Sequence, residues 1–181
     1  LIVVGSYVEL TTRQLNKVLE ISLCKPIEIN VFKLYEFFKI GDNLNLNSLK
    51  KLIMNAIRQN LIRESIPVLY TSRKTIFPTD KNDLIQFQLF LSAFIAEIVS
   101  AIKNEIGYLI SKGGITTNTI ISEGLEADSV YLEGQILPGI SLVTFNLLKQ
   151  KGKLPIVTFP GNIGNKMSLV KALEILENKN F

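Results

Sequence analysis

The segment Ile110-Ser111-Lys112-Gly113-Gly114-Ile115-Thr116-Thr117-Asn118 passes from an apolar run through two glycines into hydroxyl-bearing residues. The apolar run predicts a buried strand, and the hydroxyl series is typical of a helix start. Consecutive backbone N–H groups in such a turn can bind an anion, aided by the positive end of the helix. The alternative is an ordinary turn, in which Thr116 or Thr117 caps the helix and Lys112 either neutralises phosphate or lies in solvent.

Two further turns repeat this order of strand, glycine and helix. Gly5 and Ser6 follow the apolar run 1–4, and the loop Gly161-Asn162-Ile163-Gly164 follows the run 155–159. Ser6 can donate a hydrogen bond to a phosphate or an adenosine hydroxyl, and Asn162 carries an amide donor. The last loop has neither the P-loop spacing nor the dinucleotide fingerprint. Each turn alone also fits a plain connection, but three at the carboxyl edge of one sheet predict a single phosphate-binding crevice.

Around these turns, short β-branched runs alternate with stretches of helical period. This alternation predicts an α/β fold, a layered α/β/α domain with a mixed, mainly parallel central sheet. The predicted strands are residues 1–4, 27–32, 67–70, 108–111, 129–132, 141–144 and 155–159. The predicted helices are residues 12–23, 46–63, 83–105, 117–124 and 166–177. Residues 131–144 contain Gly134, Pro138 and Gly139 but no helical stretch, which predicts a hairpin and hence the antiparallel part of the sheet.

The composition narrows the chemistry. The chain has 181 residues with no histidine and one cysteine, which excludes an intramolecular disulfide, the usual zinc sites and histidine-based triads. We expect Cys24 to be an inert buried thiol. The net charge of +4 comes from 20 basic and 16 acidic residues scattered along the chain. This pattern predicts no dedicated nucleic-acid surface, whereas a mild positive charge suits anionic small molecules.

The apolar stretch 84–102 is long enough to raise the question of a membrane span. Interrupting polar residues, among them Gln88 and Ser92, instead predict the central, largely buried helix of the domain and no membrane contact. No signal-peptide pattern is present, so we expect a cytoplasmic protein. The chain opens directly on a strand-like run without an initiator Met, from which we expect it to be part of a longer protein.

Four motifs in order resemble the C-terminal nucleotide-binding domain of the four-carbon acid sugar kinase family, formerly a domain of unknown function. They are Val4-Gly5-Ser6 with Thr11-Thr12-Arg13-Gln14-Leu15, then Ser111-Lys112-Gly113-Gly114-Ile115-Thr116, Gly134-Gln135-Ile136-Leu137-Pro138-Gly139-Ile140, and Phe159-Pro160-Gly161-Asn162-Ile163-Gly164. The resemblance covers nearly the whole chain. It implies that residues 1–181 are this one domain, without the N-terminal domain that binds the acid.

The resemblance implies an ATP-dependent kinase that phosphorylates small sugar acids such as threonate or erythronate, with ATP and Mg²⁺ as cofactors. The nucleotide contacts that it implies are Ser6, Gly113, Gly114, Ile115, Thr116, Gly161, Asn162 and Gly164, with Lys112 as an electrostatic partner of phosphate. It places the general base outside this chain, so we expect the isolated chain to bind ATP or ADP without kinase activity. An apolar surface left by a missing domain would favour a homodimer.

One position departs from the family pattern. Many members carry an acidic residue between the second glycine and the threonine, where this chain has Ile115. This departure favours a second interpretation, a noncatalytic nucleotide- or metabolite-binding module that kept the loops and lost turnover. A third interpretation, a dehydrogenase fragment, is disfavoured by the missing dinucleotide fingerprint.

Overall fold

The computed structural model describes residues 1–74, 80–147 and 152–178. Within these ranges the strands are β1 (Ile2–Val4), β2 (Cys24–Ile29), β3 (Ile66–Thr71), β4 (Leu109–Lys112), β5 (Tyr131–Leu137), β6 (Ile140–Leu147) and β7 (Gly152–Phe159). The helices are α1 (Glu9–Leu19), α2 (Val31–Ile40), α3 (Asn43–Ile62), α4 (Lys81–Ile102), α5 (Gly114–Thr119) and α6 (Ser168–Asn178). A π-helical turn, Ile120–Gly124, continues α5.

The strands form one sheet in the order β2-β3-β1-β4-β7-β6-β5. The first five of these are parallel, with Val3 paired to both Leu69 and Ser111, and Ser111 paired to Thr158. β5 and β6 run antiparallel as a hairpin whose turn contains Gly139 at φ 74°. The predicted α/β fold with a mixed, mainly parallel sheet is therefore confirmed. The carboxyl ends of β3, β1, β4 and β7 share one edge.

Helices cover both faces of the sheet. Val3 and Leu69 belong to one buried cluster with residues of α2, α3 and α4, whereas Ile2 and Val4 belong to a second with residues of α1 and α6. Alternate residues of a strand point to opposite faces, so β1 is apolar along its whole length because each face has its own helical layer. The parallel strands are thus held rigidly, and the turns at their carboxyl ends have fixed positions.

The prediction missed α2. Residues 27–32 were predicted as a strand, but β2 spans Cys24–Ile29 and α2 begins at Val31. Asn30 ends the strand and caps the helix, since its Oδ1 accepts a hydrogen bond of 3.1 Å from the Lys33 backbone N–H. The aromatic residues of α2 then pack on α4, with ring centroids of Tyr35 and Phe87 5.0 Å apart. Of the residues that resembled a strand, Ile27 and Ile29 do belong to β2. Val31, by contrast, is buried as the first residue of α2, and Phe32 is 46% exposed.

The other boundaries moved by a few residues. The helix predicted at 12–23 spans Glu9–Leu19, and the helix predicted at 117–124 already begins at Gly114. The hairpin strands predicted at 129–132 and 141–144 lie at Tyr131–Leu137 and Ile140–Leu147. These shifts leave the order of the predicted elements unchanged.

The helix α4 is long and apolar enough to cross a membrane when judged by length and composition alone, and 44% of its most apolar 18-residue window is buried inside the domain. The expectation of a largely buried helix is correct for its second half, where Ile95, Ile98 and Val99 lie in the core. It is wrong for the first half, where Ile85 and Leu89 are each 54% exposed. One face of this first half lies over the carboxyl edge of the sheet.

Candidate functional site

The three glycine-bearing turns meet at the carboxyl edge of the sheet. The backbone N–H groups of Gly5 and Ser6 donate to the carbonyl oxygen of Lys112, at 3.0 and 3.2 Å. The N–H of Gly113 donates to the carbonyl oxygen of Phe159 at 2.9 Å. The turns enclose a cavity of about 220 Å³, called the crevice below. Its lining from these turns consists of Gly5, Ser6, Tyr7, Val8, Gly113, Gly114, Ile115, Thr116 and Gly161.

Close packing explains three of the glycines. A Cβ at Gly5 would lie 2.0 Å from the Thr116 Oγ1, and a Cβ at Gly161 would lie 2.6 Å from the Ser6 Oγ. Gly113 has φ +127°, and its Cβ would lie 3.0 Å from the Ser6 backbone N. A side chain at any of these positions would push the turns apart. The crevice exists in this shape because these positions carry no side chain.

Gly114 is different from the other three. A Cβ there would have no heavy atom within 4 Å, so its backbone faces open space in the crevice. Gly114, Ile115 and Thr116 form the first turn of α5, and their N–H groups have no backbone partner among residues 1–74, 80–147 and 152–178. The N–H groups of Gly5, Ser6 and Gly113 are already used between the turns, whereas those of the α5 start remain free to donate to a ligand.

Hydroxyl groups line the same cavity. Thr11 Oγ1 shares its hydrogen between the Ser6 Oγ, at 3.1 Å, and the Gly161 carbonyl oxygen, at 2.9 Å. Ser6 accepts in this arrangement and keeps its own hydrogen for a ligand. Thr116 is 6% exposed and lines the crevice, and its hydroxyl makes no hydrogen bond within the described part of the chain. Ser6 and Thr116 are therefore positioned to donate to an anionic ligand.

Lys112 lies beneath the crevice and not in solvent. Its side chain is fully buried, its Nζ donates to the carbonyl oxygens of Pro160 at 2.8 Å and Gly161 at 3.3 Å, and it lies 3.8 Å from the centroid of the Phe159 ring. Burial lowers the pKa of Lys112 to about 8. No carboxylate in the described ranges pairs with it. The ammonium group thus holds the third turn and adds positive charge below the cavity.

Arg73 was missed by sequence reasoning; it supports the turn after β1 but lines neither the crevice nor any other described part of the site. It follows β3 at the same edge and donates from Nη1 to the Ser6 carbonyl oxygen at 2.8 Å and from Nη2 to the Thr71 Oγ1 at 2.7 Å. Its hydrogen-bond partners are all neutral, and burial lowers the pKa of its guanidinium group. The turn after β3 contains no glycine, so nothing in its sequence singled it out. The one signal was that Arg73 follows a parallel strand, which places it at the same edge of the sheet as the glycine turns.

Gln14 supports the third loop. Its Nε2 donates to the carbonyl oxygens of Ile163, at 3.1 Å, and Asn165, at 2.8 Å, and its side chain is fully buried. Asn162 and Gly164 of the same loop are exposed and lie outside the crevice, since a Cβ at Gly164 would contact Ser168 and Gln14 instead. Of the four loop residues 161–164, the structure therefore brings Gly161 alone to Ser6 and Gly114.

The crevice suits an anion better than a metal ion. Its lining contains no carboxylate, and no group of three or more His, Cys, Asp or Glu side chains that could hold a metal occurs within the described ranges. Ile115, at the position where the family pattern has an acid, is 58% exposed. Mg²⁺ is usually held by one or two carboxylates together with phosphate and water oxygens. The residues present fit a phosphate chain, and they do not supply a carboxylate for Mg²⁺.

The chain is an α/β domain whose mainly parallel sheet carries a glycine-lined crevice at the carboxyl ends of its strands, which is where sheets of this kind bind their ligands. The chain belongs to the family of nucleotide-binding C-terminal domains, whose model matches residues 1–169. No curated protein sequence is significantly similar to it.

Two solved structures share the fold. Protein HI1011 of Haemophilus influenzae, a DUF1537 protein, superposes with a TM-score of 0.66 at 18% identity, over 97% of this chain and 40% of that protein. A Salmonella typhimurium LT2 protein provisionally described as a tRNA synthase superposes with a TM-score of 0.62 at 16% identity, over 94% of this chain and 39% of that protein. The chain thus spans about two fifths of the length of each.

Proposed function

We propose that this chain is the ATP-binding half of a kinase that transfers the γ-phosphate of ATP to a four-carbon sugar acid. The observation that carries the proposal is the meeting of the three turns in one crevice with free N–H donors at its α5 side. The match to the nucleotide-binding family over residues 1–169 and the DUF1537 assignment of a structural neighbour support it. The sugar acid, threonate- or erythronate-like, would bind mainly to a further domain. We also propose that the protein is cytoplasmic.

The crevice would act on the phosphates by position and charge. The N–H groups of Gly114, Ile115 and Thr116 would donate to phosphate oxygens, together with the hydroxyls of Ser6 and Thr116. Lys112 below the third turn would add a positive charge that lowers the cost of bringing several negative charges together. Phosphoryl transfer depends largely on this kind of positioning and electrostatic stabilisation. The described lining contains no general base, so we place that group outside this chain.

The second candidate function is a noncatalytic nucleotide-binding module. The exposed Ile115 and the absence of a carboxylate from the crevice lining favour it. ATP consumption by the full-length protein with a panel of four-carbon acids separates the two. Turnover supports the kinase, whereas nucleotide binding without turnover by any acid supports the module.

Nucleotide binding itself is tested by calorimetric titration of the chain with ATP and ADP. Gly114→Val places a branched side chain in the open space, and we expect it to weaken ATP binding at least about tenfold because it blocks close approach to the backbone. Gly107→Val is the matched control, since a Cβ at Gly107 also meets no heavy atom within 4 Å but the residue precedes β4 at the opposite edge. Equal affinities for the two variants would refute the crevice as the binding site.

A further inference from the structure

A second cavity continues the crevice on the side of β3. It has a volume of about 140 Å³ and is called the apolar slot below. Its apolar lining is Val31 from α2, Leu84, Phe87 and Leu91 from α4, and the largely exposed ring of Tyr7. The slot and the crevice share Gly5, Tyr7, Gln88 and Leu91 in their linings. An extended ligand can therefore occupy both without leaving the carboxyl edge of the sheet.

One face of α4 forms the common wall of the two cavities. Leu84, Gln88, Leu91 and Ser92 recur at the three- and four-residue spacing that places side chains on one side of a helix. The polar members, Gln88 and Ser92, lie where the slot opens into the crevice, since both line the crevice and Gln88 also lines the slot. The wall thus changes from apolar to polar in the direction of the glycine turns.

Ser92 is a largely buried residue that lines the crevice and whose hydroxyl is unpaired among the described residues. It is 5% exposed, and its hydroxyl makes no hydrogen bond within the described ranges. Two other serines in helical segments, Ser48 and Ser122, each donate to the carbonyl oxygen four residues earlier at 2.9 Å. Ser100 of α4, like Ser92, makes no such bond in the described ranges. The amide of Gln88, which is half-buried, also has no partner in the same part of the chain. Both polar groups lie in the lining of the crevice and are unpaired within the part of the chain that the structure describes, so they are available to a ligand that enters the cavity.

Two of the remaining polar side chains of the slot, Thr71 and Ser72, are already engaged, and the third, Lys74, is exposed at its rim. Thr71 Oγ1 accepts from Arg73 at 2.7 Å, and Ser72 Oγ accepts from the Val31 backbone N–H at 3.1 Å. A polyhydroxy acid in this slot would place hydroxyls against the apolar side chains of Leu84 and Phe87, where they have no hydrogen-bond partner. A flat heteroaromatic ring would instead bury apolar faces there and could stack on Tyr7.

We propose that the base of the nucleotide occupies the apolar slot and that Gln88 and Ser92 hydrogen-bond to the nucleoside where it passes into the crevice. This inference rests on the proposed function, because it assigns the nucleoside end of a ligand whose phosphates lie at Gly114. The binding site then consists of two parts, an apolar slot for the base and a crevice for the phosphate chain.

The test compares ATP with inorganic tripolyphosphate, which has phosphates but no nucleoside, by calorimetry on the 181-residue chain. Leu84→Trp fills the slot, and we expect it to weaken ATP binding at least tenfold while tripolyphosphate binding stays within twofold of wild type. Leu89→Trp is the matched control, because Leu89 lies on the same helix, is 54% exposed and lines neither cavity. It should leave both affinities unchanged.

Gln88→Ala gives a second measurement that does not depend on how the fold accepts a tryptophan. We expect a loss of three- to tenfold for ATP and none for tripolyphosphate, with exposed Gln86→Ala as the control. ATP affinity that is unchanged in both Leu84→Trp and Gln88→Ala would overturn the base assignment, as would an equal loss for ATP and tripolyphosphate. If the wild-type chain binds neither ligand, the proposed function itself fails.

Discussion

Adding one methyl group at Gly5 should disrupt the site more than the size of the change suggests. In Gly5→Ala the new Cβ would lie 2.0 Å from the Thr116 Oγ1, 2.9 Å from its Cβ and 3.0 Å from its Cγ2. Rotation about χ1 can move the oxygen away, but it cannot move the Cβ. Thr116 is 6% exposed and belongs to the first turn of α5, so the helix start has to shift away from the turn after β1.

The size of the effect follows from overpacking of a close contact. Inserting a methyl group into a well-packed region costs about 1–3 kcal/mol of the free energy of unfolding. For a chain of this length, 1 kcal/mol lowers the melting temperature by about 2–4 °C, so we expect a decrease between about 2 and 12 °C. Phosphate binding should fall as well, because the free N–H groups of Gly114 and Ile115 move with the helix start.

Chemical denaturation and thermal melting of four variants test this reasoning. Gly114→Ala is the control for adding a methyl group in the same turn, and because a Cβ there meets no heavy atom within 4 Å we expect a change within about 0.5 kcal/mol. Thr116→Ala removes the Oγ1 and the Cγ2 but keeps the Cβ, so the double variant Gly5→Ala/Thr116→Ala should recover part of the loss, about 1 kcal/mol relative to additivity. A Gly5→Ala protein as stable as wild type, or additive losses in the double variant, would refute the close contact.

Three further outcomes follow from groups around the site. Gln14→Glu replaces a buried donor by a carboxylate that faces the carbonyl oxygens of Ile163 and Asn165. We expect it to lower the free energy of unfolding by about 3 kcal/mol, measured by urea unfolding at pH 7. A loss below about 0.5 kcal/mol would contradict those hydrogen bonds. Burial lowers the pKa of Lys112 from 10.5 to about 8, so the unfolded chain binds more protons between these pH values and this group makes stability rise with pH across that window. The rise should be absent from Lys112→Met when the two proteins are compared by urea unfolding at pH 7.5 and 10, and identical pH dependence would argue against burial of the charge. Burial also raises the pKa of the Cys24 thiol to about 11. A disulfide reagent at pH 8 should therefore react slowly with the native chain and fast with the chain unfolded in urea. Equal rates for the two forms would contradict the burial of Cys24.

The fold was predictable from two sources, the local sequence pattern of each element and the rule that parallel strands end at one edge of a sheet. The alternation of β-branched runs with helical periods gave the order of the elements, and the rule that parallel strands end at one edge placed Ser6, Gly114 and Gly161 together. The helix α2 could not be found in this way. Its opening residues, Val31 and Phe32, have high strand propensity, and Tyr35, which follows them, packs on Phe87 of α4, about 50 residues later in the chain.

The site was predictable at the level of its turns but not of its contacts. Nothing local distinguishes Gly5, which packs on Thr116, from Gly114, which faces open space, because the difference depends on residues from another turn. Lys112 has the sequence context of an exposed phosphate ligand, yet the carbonyl oxygen of Pro160, 48 positions away, holds it in the interior. The wall supplied by α4 was equally hidden, since Gln88 appeared only as an interruption of an apolar run.

The proposed function requires that phosphates bind at the start of α5. Amide chemical shifts of the ¹⁵N-labelled chain, followed during titration with a nonhydrolysable ATP analogue, report on this position directly. We expect the largest shifts at Gly114, Ile115 and Thr116, with little change at Gly107 and Gly152, which lie at the opposite edge of the sheet. Shifts concentrated at Gly107 and Gly152, or no shifts at Gly114 under saturating ligand, would contradict the account.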